Sequence, residues 1–101
     1  MNGTVTAEDV KILKDLTGED RLDAAVHMTL KDAVEHKLEK IEDGIKAFER
    51  KHGAKFNDFK KKWESGEIKG KYTRPIEKDF MEWEALLSRK KRLEKALKWL
   101  R

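Results

Sequence analysis

Three histidine–carboxylate pairs are the features of this sequence whose residue types could do chemistry. The members of each pair are three or four residues apart, so they would share one face of a helix, as metal ligands do. The pairs are Asp23 with His27, Asp32 with His36, and Glu49 with His52. The last pair matches the Glu-x-x-His step of di-iron bundles, but such a site needs two of these steps and two further inward carboxylates. Because the sequence has one such step, we interpret all three as surface pairs and predict no metal and no cofactor.

The sequence also lacks a recognisable nucleophile for covalent catalysis. Its two serines, Ser65 and Ser88, lie outside any nucleophile-elbow motif. Cysteine is absent, which excludes disulfides and thiolate metal sites. The 6 glycines are scattered and form no phosphate-binding loop. We therefore predict that the chain is not an enzyme.

A stretch in the middle of the chain interleaves aromatic and basic residues, a combination that can stack nucleic-acid bases while lysines contact phosphates. Its aromatic members Phe56, Phe59 and Trp63 have the spacing of one helix face, which favours a place in the core. Nucleic-acid binding is therefore kept as an alternative function. The candidate residues for it are Lys60, Lys61, Lys62, Arg89 and Arg92.

Composition sets the broad class of protein. A length of 101 residues suits one domain, and 38% hydrophobic with 44% charged residues is typical of amphipathic helices with narrow apolar stripes. The 24 basic residues are nearly matched by 20 acidic ones, so the net charge of +4 does not itself indicate nucleic acid. Abundant Lys and Glu without glutamine resemble the composition of a thermophile. No apolar run could span a membrane and the first residues are no signal peptide, so we expect a cytoplasmic protein without a membrane partner.

The elements that would carry these residues are helices separated by residues typical of helix ends. Thr6 and Asp9 have the spacing of a capping box, Gly18 and Gly53 close the first two helices, and Pro75 opens the last one. We predict a single domain with four helical segments. They are an N-terminal helix within 1–18, a long helix over 19–52, a short helix over 54–65 and a C-terminal helix over 75–101.

Two of these helices carry apolar seams with alternating spacings of three and four residues. The seam of the long helix is Val34, Leu38, Ile41, Ile45 and Phe48; that of the last helix is Trp83, Leu86, Lys90, Leu93, Leu97 and Leu100, with Lys90 its polar member. The seams predict an all-α fold, a long antiparallel hairpin with a short bridging helix and an N-terminal helical extension. In that register, acidic residues of 35–42 lie opposite Arg89–Arg92. Gly44 either lets the opposite helix approach closely or is a tolerated weak point.

Several short motifs between residues 38 and 97 carry a family resemblance. They are Phe48-Glu49-Arg50-Lys51-His52-Gly53, then Phe56, Phe59, Trp63 and Gly66-Glu67-Ile68, then Glu77-Lys78-Asp79, Glu82-Trp83-Glu84 and Leu93-Glu94. With these motifs the chain resembles a family of small, mostly uncharacterised helical proteins of archaea and some bacteria. The resemblance implies an antitoxin-like role with a small nuclease-like toxin as partner, and in some relatives a DNA-binding N-terminal unit. The sequence departs from the pattern at Lys55, where a Ser or Thr cap is usual, and in its missing N-terminal ribbon, which weakens the implied DNA binding most.

The leading functional hypothesis is a non-catalytic protein-binding module of antitoxin type. Its candidate contact residues are Trp63, Lys71, Tyr72 and Trp83, because large aromatic residues dominate protein interfaces. The alternative for these aromatic residues is burial in the protein's own core, which is favoured more for Trp83 than for Tyr72. The competing hypotheses are nucleic-acid binding and a purely structural homodimer. We expect a homodimer because long amphipathic helices in a chain of this size often complete their core by association.

Overall fold

A computed structural model of the chain describes residues 3–68, 70–71 and 73–100, and within these residues it contains four helices and no strand. The helices are α1 (Ala7–Thr17), α2 (Leu22–His52), α3 (Phe56–Glu64) and α4 (Arg74–Trp99). Helices α2 and α4 pack along each other, α1 packs on α2, and α3 packs on α4. The all-α hairpin predicted from the two apolar seams is therefore confirmed.

The N-terminal extension begins at the predicted capping box. The Thr6 hydroxyl accepts a hydrogen bond from the backbone N–H of Asp9 at 3.1 Å, and the Asp9 carboxylate accepts one from the N–H of Thr6 at 3.0 Å. Helix α2 begins at Leu22, three residues later than predicted. The reason is a turn in which the Thr17 hydroxyl accepts a hydrogen bond from the N–H of Glu19 at 3.2 Å, so this segment stays outside the helix.

Ion pairs across the hairpin fix its register and direction. Lys90 of α4 pairs with Glu42 of α2, and this hydrogen bond raises the pKa of the Lys90 ammonium. Farther toward the connection, Asp79 near the start of α4 contacts His52 at the end of α2, so the two helices run antiparallel. The Glu42–Lys90 pair agrees with the predicted apposition of acidic residues within 35–42 and the basic stretch of α4.

The one glycine inside α2 marks a close approach of α4. A Cβ atom added at Gly44 would lie 2.9 Å from Cδ1 of Leu86, closer than real Cβ contacts. Of the two interpretations of this glycine, the structure supports close helix packing. The absence of a side chain at Gly44 makes room for the Leu86 methyl groups.

An aromatic cluster fills the end of the hairpin where α3 connects the two long helices, which we call the closed end. Trp83 is fully buried at its centre, with 0% of its surface exposed. The rings packed against it are Phe48, His52, Phe56 and Phe59, with centroids 5.6, 5.7, 5.2 and 5.3 Å away. Helix α3 thus contributes its aromatic face to the core, as the spacing predicted.

The opposite end of the hairpin, which we call the open end, contains α1, the N-terminal half of α2 and the C-terminal end of α4. The whole chain is elongated, with extents of 57 × 30 × 19 Å and a radius of gyration of 19.3 Å. A globular domain of this length would have a radius of gyration of about 13 Å. None of the described helices combines the length and apolar character that a membrane span requires.

Candidate protein-binding surface

The polar cluster best equipped for chemistry joins the end of α2 to the start of α4. Oδ2 of Asp79 lies 2.6 Å from Nζ of Lys51 and 2.9 Å from Nε2 of His52. An ionised carboxylate only accepts hydrogen bonds, so Nε2 of His52 carries the proton and donates it. Glu49, which the spacing pairs with His52, instead lies 3.1 Å from Nζ of Lys55. The partner of His52 is therefore a carboxylate 27 residues away rather than the one within its own helix.

Two members of this polar cluster, His52 and Asp79, are covered by neighbouring side chains, whereas Lys51 is exposed. Burial disfavours the charged carboxylate, but hydrogen bonds from Lys51 and His52 outweigh it and hold the pKa of Asp79 below its usual value. The His52 ring packs between Phe59 and Trp83, with centroids 4.6 and 5.7 Å away. Such a cluster can fix α2 against α4 but offers a substrate little access. Among the described residues, no group of three or more His, Asp or Glu side chains is placed to hold a metal ion.

The aromatic residues predicted as contacts belong largely to the protein's own packing. Trp83 has no exposed surface, so it is a core residue and not the predicted contact residue while the fold is intact. Trp63 is half-buried and stacks on Phe80 with centroids 4.6 Å apart, and Nζ of Lys71 lies 5.3 Å from the Trp63 ring. The structure thus brings Trp63 and Lys71 together. Tyr72 lies outside the described residues.

The candidate residues for nucleic-acid binding fall into two separate groups. Lys61 and Lys62 are exposed on α3 and Lys60 is half-buried there, whereas Arg89 and Arg92 are exposed on α4. Helix α3 packs near Trp83, and the two arginines lie about 9 and 14 Å farther along the axis of α4. Of the described rings of α3, Phe59 is buried and Phe56 and Trp63 are half-buried. Within residues 3–68, 70–71 and 73–100, the structure therefore offers no joint surface of fully exposed rings and these basic side chains.

The open end carries the largest concentration of exposed apolar side chains. In the described part of the chain, eight of the nine exposed large apolar residues belong to this end. They are Val5, Ile12, Leu16, Leu22, Val26, Met28, Leu30 and Trp99. The ninth, Met81, lies at the other end of α4 and is 70% exposed. Packing is therefore unequal, because the closed end buries its rings while the open end leaves its aliphatic residues in solvent.

Part of this concentration forms a connected surface. Leu22, Val26 and Leu30 are spaced by four residues and form a stripe along α2. Leu30 also lines an open groove between α2 and α4, together with Val34, Ala96, Trp99 and Leu100. Trp99 is 80% exposed at the rim of this groove. We call the stripe and the groove together the open-end surface.

The open-end surface was not predicted from the sequence, although part of its pattern is visible there. The apolar stripe of α2 continues N-terminally from Val34 in steps of four, beyond the stretch that α4 can cover. Trp99 stands between the seam residues Leu97 and Leu100, so it lies beside the seam and not on it. What the sequence could not show is how far α4 extends along α2. That length determines which apolar residues remain exposed.

The fold defines this chain as an all-helical hairpin protein with an exposed apolar end. Within that class, the chain belongs to the uncharacterized protein MJ0235 family, whose sequence model matches residues 7–101. The match covers all four helices. No curated protein and no solved structure matches the chain.

Proposed function

We propose that this chain is a non-catalytic protein-binding module and that it binds protein through the open-end surface. The observation that carries the proposal is the connected apolar surface of the α2 stripe and the α2–α4 groove, with Trp99 at its rim. Soluble monomers rarely expose large connected apolar areas unless another molecule covers them. A tryptophan on such a surface is typical of the residues that dominate protein-binding energy.

The chemistry around this surface supports the same proposal. Arg92 and Lys95 are exposed and stand seven and four residues before Trp99, so all three share one side of α4. An apolar centre with charged neighbours is the usual organisation of a protein interface. The polar cluster around Asp79 is covered, and the rings of α3 are occupied in the core. The open-end surface is therefore the better candidate for contact with another molecule.

Within this class of function, the antitoxin-type role rests on the sequence resemblance. In that role the bound protein is a small toxin. The alternative of nucleic-acid binding is supported by the exposed Lys61 and Lys62 of α3. Among the described residues of this segment, no fully exposed ring stands beside these lysines for stacking, since Phe59 is buried and Trp63 is half-buried.

A capture experiment with matched variants tests the proposal. The tagged full chain is compared with Trp99→Glu and Met81→Glu, which add the same charge to exposed apolar positions on the same side of α4 but at opposite ends. A second, differently tagged copy is co-expressed, so that self-association also counts as protein binding. Nuclease-treated and untreated lysates are analysed in parallel by mass spectrometry.

We expect a stoichiometric protein, whether a second copy or another chain, to survive nuclease treatment. It should be lost with Trp99→Glu and retained with Met81→Glu. Two results would contradict the proposal. One is a bound protein that is indifferent to both substitutions; the other is the recovery of nucleic acid alone, with binding lost after nuclease treatment.

A further inference from the structure

The exposed area of the single chain exceeds what its mass requires. The chain exposes 8001 Å², whereas a compact monomer of 11.9 kDa exposes about 6,000 Å². A standard protein interface removes about 800 Å² from each partner, and obligate dimers remove more. The difference of about 2,000 Å² is therefore large enough to supply a stable dimer interface. The apolar part of this excess is concentrated at the open end, which indicates where such an interface lies.

Helix α1 presents an outer side that no neighbouring helix covers. Its exposed residues Glu8, Ile12 and Asp15 follow spacings of four and three, and Leu16 follows Ile12 by four, so they lie on one side of the helix. The exposed Lys11, three residues after Glu8 and four before Asp15, lies at the edge of the same side. Helix α1 packs against α2 and not along α4, with Val10, Leu13 and Thr17 less exposed on its other side. The outer side of α1 is thus apolar at its centre, with two carboxylates and one lysine at its margin, so that its net charge is negative.

The C-terminal end of α4 has an outer side of the opposite charge. Arg92, Lys95 and Trp99 share that side, and all three are exposed. Glu8 and Asp15 on α1, like Arg92 and Lys95 here, have no ion-pair partner within the described residues. One chain therefore carries two unpaired sides at the same end, one acidic and apolar, the other basic and apolar.

We propose that a second copy of this chain covers the Trp99 part of the open-end surface in a two-fold dimer, in which the outer side of α1 in each copy packs on the outer side of the C-terminal end of α4 in the other. The two contacts are equivalent by symmetry, as in most dimers, and the assembly closes at two copies. Trp99, Ile12 and Leu16 lie at the centre of each contact. The carboxylates of Glu8 and Asp15 face the cations of Arg92 and Lys95 at its margin. This inference rests on the proposed protein-binding function of the open-end surface and names its occupant.

The first test measures the mass of the purified full chain by size-exclusion chromatography with light scattering at micromolar concentration. We expect about 24 kDa for the wild type, twice the 11.9 kDa of one chain. Trp99→Glu should weaken association at least about 30-fold, as the loss of a dominant interface residue does, and should elute as a monomer. Met81→Glu, which places the same charge outside the contact, should remain a dimer. Far-ultraviolet circular dichroism checks that both variants are folded.

A charge-swap series distinguishes this arrangement from other dimers. Asp15→Lys and Lys95→Glu should each weaken the dimer by roughly five-fold, because each places like charges across the margin. The double variant should recover most of the lost affinity. Lys61→Glu on α3 is the matched control for charge and should leave association unchanged.

The outcomes separate the inference from the proposed function. A wild-type chain that stays monomeric up to about 100 μM overturns the dimer. If such a monomer still captures another protein through Trp99, the protein-binding function stands with a different partner. A dimer that tolerates Trp99→Glu, or a charge-swap pair that does not restore affinity, overturns the arrangement proposed here. Loss of all protein capture together with a monomeric mass overturns both.

Discussion

Asp79→Asn is the substitution whose effect can best be worked out from the structure. The carboxylate of Asp79 accepts two hydrogen bonds at once, from Nζ of Lys51 at 2.6 Å and from Nε2 of His52 at 2.9 Å. The Lys51 side chain is 56% exposed, so its ion pair is screened by water and contributes about 0–1 kcal/mol. The His52 and Asp79 side chains are only 11% and 10% exposed, and a covered charge-assisted hydrogen bond contributes about 1.5–3 kcal/mol. We therefore expect the free energy of unfolding to fall by about 1.5–4 kcal/mol.

The assay is urea unfolding of the full chain at pH 7, followed by circular dichroism at one fixed protein concentration. Fixing the concentration removes the effect of association on the apparent stability. Asp43→Asn is the matched control, since Asp43 is an exposed carboxylate on α2, and it should change the free energy of unfolding by less than about 0.5 kcal/mol. A loss below about 0.5 kcal/mol for Asp79→Asn would show that the cluster does not hold the hairpin together.

The difference in unfolding free energy between the wild type and Asp79→Asn should depend on pH with a known sign. The pKa of Asp79 is lowered in the folded state, so its contribution is fully present above the unfolded pKa of about 4. It is lost as the pH falls through the lowered folded-state pKa. The stability difference between wild type and Asp79→Asn should therefore be constant near neutrality and shrink below about pH 4. A difference that grows on acidification would contradict the assignment of the charged carboxylate to this contact.

Three further substitutions test the packing of the hairpin. Gly44→Ala should stabilise the chain by about 1 kcal/mol in a Leu86→Ala background. In the wild type it should stabilise by clearly less, because the new methyl group meets Leu86 there. Equal effects of Gly44→Ala in the two backgrounds, measured by urea unfolding, would refute the close approach. Trp83→Ala should lower the free energy of unfolding by about 3–5 kcal/mol. Trp83→Phe should lower it by less, since the indole N–H of Trp83 has no hydrogen-bond partner among the described residues. Equal losses for the two variants would argue against this environment. Lys90→Leu should change the free energy of unfolding by less than about 1 kcal/mol, since a partly exposed ion pair is exchanged for an apolar seam residue. A larger loss would mean that the ion pair with Glu42 stabilises the fold more than its exposure indicates.

Much of the fold could be predicted because its determinants are local or periodic. The capping box of Thr6, the ends at Gly18 and Gly53, and the two seams all follow from residue types at fixed spacings. Helix α2 begins later than predicted because the Thr17 hydroxyl stabilises a turn before it, and helix propensity does not predict such a side-chain contact. Helical periodicity thus established the elements and their pairing, while a single side-chain contact set a boundary.

The candidate surface was harder to predict because it depends on what the folded chain leaves uncovered. The spacing of Trp63 marked an aromatic face but could not show that Phe80 stacks on it. His52 finds Asp79 only when α2 and α4 are in register, which no local pattern specifies. The open-end surface arises because the apolar stripe of α2 continues beyond the stretch of α2 that α4 covers. How far α4 covers this stripe is a property of the tertiary arrangement.

The most direct test of the central claim is to measure whether Trp99 is covered in the associated protein. Hydroxyl-radical footprinting with mass spectrometry gives the oxidation rate of each side chain, normalised to the unfolded chain. Trp99 is 80% exposed and Met81 is 70% exposed in the single chain, so the two should react alike if nothing binds. We predict that Trp99 is strongly protected in the associated state, whether the partner is a second copy or another protein, while Met81 remains reactive. Equal reactivity of Trp99 and Met81 would contradict a binding role for the open-end surface.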